Sequence, residues 1–181
     1  MNNFDKHFRQ AVVLCLAFLL TGCGAWKATK KVGEVLMDPD IQVGRAAEQP
    51  STVRLTMLAE LDINPNELGE AAPTEVAVIY LSEDSKLWAA DYDQLTSDAL
   101  EKTLGKNYID HQEYTLLPGQ YKVLPTIKLE EDDRYIGVIA RFADAEKSEW
   151  KKIIKVKSIG QNYHVLIHLR AHDIDLRKEE E

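Results

Sequence analysis

Residues 53–62 read Val-Arg-Leu-Thr-Met-Leu-Ala-Glu-Leu-Asp. Val53, Leu55, Met57, Ala59 and Leu61 alternate with Arg54, Thr56, Leu58, Glu60 and Asp62. Side chains on a strand point to opposite faces with period two, so this stretch predicts a half-buried strand. Residues 76–81 (Val-Ala-Val-Ile-Tyr-Leu) are continuously apolar, which predicts a central strand covered on both faces. The same reading extends to residues 114–117 and 121–129, on either side of a Pro118-Gly119 type II turn pair. Residues 135–142 predict another strand, in which Gly137 suits a bulge or a close backbone approach. Residues 153–156 and 163–169 complete seven or eight strands. Many short strands with Pro/Gly turns predict an all-β protein, a β-sandwich.

Residues 84–104 break this pattern. Leu87, Trp88, Asp91, Tyr92 and Leu95 recur at helical spacing, Ser97 suits the N-cap of a helix over 98–104, and Gly105 suits the position just past its end. The expectation is a short helical insert in an all-β domain. The closing residues 177–181 (Arg-Lys-Glu-Glu-Glu) read as a charged, frayed tail.

The chain has 181 residues, with 22 Lys+Arg against 30 Asp+Glu and a net charge of −8. That length suits one domain. The acidic balance argues against nucleic acid as a partner, because phosphate neutralisation needs clustered Lys/Arg. At the N-terminus, Lys6 and Arg9 precede an apolar run over residues 11–20. Ten residues are too few to span a bilayer, which takes about 20, so the run reads as a signal-peptide core. Leu20-Thr21-Gly22-Cys23 follows directly. A branched residue, small residues and then Cys is the pattern of a lipobox, and predicts cleavage before Cys23 and acylation of its thiol. The other cysteine, Cys15, would leave with the signal peptide, so no disulfide would staple the mature chain. Gly24 after the acylated Cys23, instead of Asp, points to the periplasmic face of the outer membrane. The organisation expected is a lipoprotein signal peptide at 1–22, a lipidated tether at 23–38 bearing Lys27, Lys30 and Lys31, a sandwich domain at 39–176 and the tail at 177–181. Several acyl chains hold a protein durably, at about 0.8 kcal/mol per buried CH₂.

Candidate chemistry is sparse. His164, His168 and His172 recur every four residues, but Val165, Ile167 and Leu169 alternate with them. On a strand, histidines four apart lie about 13 Å from each other, too far to share a metal. Glu130, Glu131, Asp132 and Asp133 read as a solvated acidic turn without the glycine and ligand spacing of a calcium loop. No nucleophile elbow, phosphate loop or HExxH occurs. The reading is therefore not an enzyme, with no cofactor, no metal and no small-molecule substrate. The unusual segment is residues 63–73, Ile-Asn-Pro-Asn-Glu-Leu-Gly-Glu-Ala-Ala-Pro. A hairpin needs two to five residues there. Two prolines stiffen the loop, and Leu68 is an apolar residue at a polar tip. Long stiff loops on a rigid sandwich carry recognition. An alternative is a periplasmic glycan- or peptidoglycan-binding lipoprotein, with Trp88 and Trp150 as a sugar platform.

These pieces, in this order and spacing, resemble the TssJ (SciN) family of type VI secretion lipoproteins. The resemblance runs over roughly residues 52–158. It rests on Cys23, on Asn64-Pro65-Asn66, Gly69 and Pro73, on residues 87–95 (Leu-Trp-Ala-Ala-Asp-Tyr-Asp-Gln-Leu), on Leu117-Pro118-Gly119, on residues 137–142 and on Trp150. Tyr80-Leu81-Ser82 departs from the family's usual Tyr-x-Leu, and Tyr92 stands where Phe is common. The resemblance implies a transthyretin-like β-sandwich and an outer-membrane lipoprotein. It also implies a partner, the periplasmic C-terminal domain of the inner-membrane protein TssM. By position, the partner-binding loop would be Asn64, Pro65, Asn66, Glu67, Leu68, Gly69, Glu70, Ala71, Ala72 and Pro73. Leu68 and Pro65 would be the anchors, with Asn64, Asn66 and Glu67 as hydrogen-bonding groups.

Overall fold

The computed structural model describes residues 48–180. The expected signal peptide, the tether with Cys23 and the start of the domain lie outside the described residues. The described strands are β1 (Thr52–Ala59), β2 (Thr74–Leu81), β3 (Tyr108–Leu116), β4 (Tyr121–Val123), β5 (Ile127–Lys128), β6 (Tyr135–Ala140), β7 (Lys151–Lys155), β8 (Asn162–Leu169) and β9 (Ile174–Glu180). Three short helices lie between β2 and β3: α1 (Ser85–Ala89), α2 (Tyr92–Ser97) and α3 (Leu100–Leu104). One sheet runs β4-β1-β8-β9, with β5 also on β1; the other runs β3-β2-β6-β7. Pairing is antiparallel except for β1 with β8, which run parallel from Thr52↔Asn162 to Ala59↔Leu169.

The period-two pattern of β1 is what builds the core. Val53, Leu55, Met57 and Ala59 are all buried, opposite Tyr163, Val165, Ile167 and Leu169 on the same face of β8. They meet Val76, Val78 and Tyr80 of β2 and Ile136, Val138 and Ala140 of β6 from the other sheet. Burying one such aliphatic side chain contributes about 1.5–3 kcal/mol. The alternation stops short of Leu61, which lies past β1 and is 81% exposed.

β2 is continuously apolar because both its faces are covered. Its even-numbered residues face the other sheet, while Ala77, Ile79 and Leu81 face a second core with Leu87, Leu95, Leu100 and Leu104 of the helices. The insert is thus a lid on the outer face of the β2–β6 sheet. Gly137 is the close approach expected from sequence: a Cβ there would overlap Leu87 Cδ2, whose side chain is fully buried. Lys151 holds the insert down from β7. Its ammonium donates to the carbonyls of Leu87, Trp88 and Ala90 at 3.0, 2.8 and 2.7 Å, the groups left unpaired where α1 ends.

Several boundaries differ from the sequence expectation. Asp91, not Ser97, caps a helix, accepting from Gln94 N–H at 2.8 Å while the Gln94 side chain accepts from Asp91 N–H. Ser97 instead ends α2, and Gly105 does follow α3 with φ 53°. The stretch 121–129 is two short strands, because Pro125 has no N–H for the ladder. β3 starts at Tyr108, earlier than expected; its polar residues Asp110 to Glu113 sit on a sheet edge, where burial does not impose an apolar pattern. The charged residues 177–180 are not a frayed tail but the end of β9, paired with residues 163–166 of β8. Charge is compatible with an edge strand, and Lys178 is tied to Lys155 O at 3.0 Å.

Candidate functional site

The loop joining β1 to β2 is fastened at its base and free at its tip. Ile63 is fully buried, and Asn64 takes a left-handed conformation (φ 49°) that asparagine tolerates. The Asn64 amide donates to Pro73 O at 3.0 Å, and its oxygen accepts from Ala143 N–H at 2.6 Å. Its backbone N–H donates to Ala171 O at 3.1 Å, and Ala72 N–H closes the loop on Ile63 O at 3.1 Å. Asn66 organises the tip: its oxygen accepts from the N–H groups of Leu68 and Glu70 at 2.9 and 3.0 Å. Gly69 completes the bend at φ 79°.

Glu67, Leu68, Gly69, Glu70, Ala71 and Pro73 are exposed, and Pro65 and Ala72 half-exposed. Leu68, expected as an anchor, is 83% exposed. Asn64 departs from the expectation of an exposed hydrogen-bonding group: it is turned inward and both ends of its amide are bonded within the chain, so it clasps the base of the loop. Asn66 likewise spends its side chain on the loop, its amide donating to Glu70 Oε2 at 3.2 Å.

Beside the loop lies a cleft of about 810 Å³. Pro65, Asn66, Glu67 and Gly69 form one wall; Tyr92 and Asp93 of α2, the turn 143–147 and His172 form the rest. Tyr92 is fixed by donating to Phe142 O at 3.1 Å and by edge-to-face packing on Trp150, 5.1 Å between centroids. Asp144 accepts from Lys147 Nζ at 2.7 Å, and that bond holds its carboxyl below the usual carboxylate range. With Glu67, Asp93, Asp144 and Glu146 against Lys147 and His172, the cleft is acidic. The sequence reading missed these walls. The Asp91 capping box foretells where α2 starts, but nothing local brings residues 143–147 to the loop.

His164 and His168 sit on β8 as strand residues do, while His172 lies past it, in the turn before β9. His164 Nε2 is 3.0 Å from Thr56 Oγ1, and His168 Nε2 is 3.0 Å from Glu60 Oε1. Trp88 and Trp150 line one shallow hollow of about 350 Å³, but Trp150 packs into both cores and only Trp88 is well exposed, at 54%. The acidic turn needs a correction. Glu130, Glu131 and Asp132 are exposed, but Asp133 is 3% exposed. Asp133 Oδ2 accepts from Glu130 N–H at 2.7 Å, and burial raises its carboxyl above the ordinary value.

The sequence profile of the type VI secretion lipoproteins, described as VasD, EvfM and TssJ, matches residues 51–172. The chain belongs to this family. The TssJ lipoproteins share its fold. The T6SS lipoprotein TssJ1 from Pseudomonas aeruginosa is 28% identical, superposes with a TM-score of 0.68, and is matched over 72% of this chain and 98% of its own. Serratia marcescens Lip, described as a membrane bound component of the type VI secretion system, is 24% identical with a TM-score of 0.62, over 74% and 100%. A chain of a structure described as the TssM C-terminal domain from EAEC is 21% identical with a TM-score of 0.59, over 70% and 97%. No curated protein matches the sequence closely.

Proposed function

We propose that this TssJ-family chain is acylated at Cys23, is held on the periplasmic face of the outer membrane, and binds the periplasmic C-terminal domain of TssM through the loop at residues 63–73. The role is mechanical, not catalytic: it ties the inner-membrane part of the secretion complex to the outer membrane. The observation that carries this reading is the form of the loop. Asn64 clasps the base to Ala143 and Pro73, while Leu68 stands 83% exposed at a tip that Asn66 holds in shape. A preorganised loop spends little entropy on binding, and an exposed leucine beside polar groups suits an anchor in a partner's pocket. The acidic cleft beside the loop favours a partner surface rich in Lys and Arg.

Two measurements test this. Fractionation of cells should find the wild-type chain with outer-membrane markers and the Cys23→Ser variant in the soluble periplasm, with secretion lost. Calorimetry should find binding to the TssM domain that weakens as salt rises. A Cys23→Ser variant that still supports full secretion contradicts the anchor; no heat of binding to TssM contradicts the partner.

A further inference from the structure

A second cavity lies about 20 Å from the loop, at the opposite end of β2, taking ~3.3 Å for each of the steps from Thr74 to Tyr80. Its volume is about 200 Å³. Tyr80 and Asp133 line it, 4% and 3% exposed, and the Tyr80 hydroxyl and Asp133 Oδ1 have no hydrogen-bond partner. A buried polar atom left unpaired costs about 1–3 kcal/mol, so two in one cavity ask for an occupant. The rim tells which kind. Asp110 and Glu130 add two carboxylates, and Gln112 Oε1 is already taken by the Tyr114 hydroxyl. Lys128 also lines the rim, but it forms no ion pair with these carboxylates among the described residues. Three carboxylates, of Asp110, Glu130 and Asp133, stand against one ammonium, so the lining is negative and suits an N–H-bearing occupant of positive charge. Among the described residues no group of three or more His, Cys, Asp or Glu could hold a metal ion, which leaves an organic cation.

We propose that the Tyr80–Asp133 cavity binds a guanidinium or ammonium group. Asp133 Oδ1 accepts one of its N–H bonds and the Tyr80 oxygen a second, while Asp110 and Glu130 supply the field that draws the cation in. Two sources carry this chemistry: a free small cation, or a Lys or Arg side chain of a polypeptide. The fold accommodates the second, because β3 is an edge strand of its sheet and carries Asp110 and Gln112. A strand laid along β3 would deliver one side chain to the cavity. This site is separate from the loop, so its failure and the failure of TssM binding read out at different residues.

The test is a titration of the detergent-solubilised chain with n-butylguanidinium, followed by backbone amide NMR. Saturable shifts at Tyr80, Gln112 and Asp133, with a Kd on the order of 1–10 mM, are expected, and n-butyl phosphate should leave the same amides still. Asp133→Asn should weaken binding at least about fivefold, the equivalent of ~1 kcal/mol. Tyr80→Phe, which keeps the ring in the core, should do the same and guards against a misfolded first variant. A short extended peptide with one central Arg, compared with its Gln counterpart, separates the sources. Tenfold tighter binding of the Arg peptide than of n-butylguanidinium assigns the site to a polypeptide, and equal affinity assigns it to a free cation. Shifts that do not saturate, that n-butyl phosphate reproduces, or that survive both substitutions overturn the proposal and leave water as the occupant.

Discussion

Replacing Asn64 should unfasten the loop and destabilise the whole domain. The side chain makes two hydrogen bonds, to Pro73 O and from Ala143 N–H, in a buried position. Each is worth about 1 kcal/mol net, and the N–H and C=O left behind are cut off from water. Alanine at φ 49° adds about 1 kcal/mol of backbone strain, which glycine does not. Asn64→Ala should therefore cost about 3 kcal/mol and Asn64→Gly about 2 kcal/mol. In urea, with a slope of roughly 1.5 kcal/mol/M, the alanine variant's midpoint should fall by about 2 M. The difference between the two variants isolates the strain. If both stay within ~0.5 kcal/mol of wild type, Asn64 is not a clasp and the loop is held some other way.

Gly137→Ala should cost about 1–3 kcal/mol in the same assay, since the added methyl meets Leu87 between sheet and helices; no loss would mean that the insert is loosely seated. Lys151→Met should destabilise by a similar ~1–3 kcal/mol and raise amide exchange in α1 more than in β8, because the carbonyls of Leu87, Trp88 and Ala90 lose their donor. Asp133 sets a pH dependence. Its carboxyl is raised by burial above the ordinary 3.8, so its favourable contribution is complete below that value and fades as pH rises through the folded value. Asp133→Asn should thus gain stability relative to wild type on going from pH 4 to pH 7, as read by thermal unfolding; a gain in the opposite direction would show that the ionised carboxylate is compensated.

The core was readable where a physical rule acts on neighbouring residues. The alternation of Val53, Leu55, Met57 and Ala59 can only bury one face, and the unbroken run at 76–81 announces two covers, which turn out to be a sheet and a helical lid. Gly137 was legible as a close approach because strands otherwise avoid glycine. What escaped was set by the third dimension. β3 and the end of β9 lie at or near sheet edges, where polar residues are allowed, so residues 108–113 and 177–180 carry no hydrophobic period. Asp133 reads as one more acid in a run of four, and only the packing around Tyr80 separates it from the others. In the loop, position and apolar content pointed to Leu68. The inward turn of Asn64 depends on Ala143 and Ala171, far along the chain, and could not be read locally.

The loop account comes down to Leu68, an exposed side chain with no structural task in the isolated domain. Calorimetric titration of the TssM periplasmic C-terminal domain into wild type and Leu68→Asp measures it directly. Burying that leucine in a partner is worth about 2 kcal/mol, so affinity should fall at least about 30-fold with the unfolding midpoint unchanged. Equal affinities for the two proteins, both fully folded, would contradict the account and put the TssM contact on another face of the sandwich.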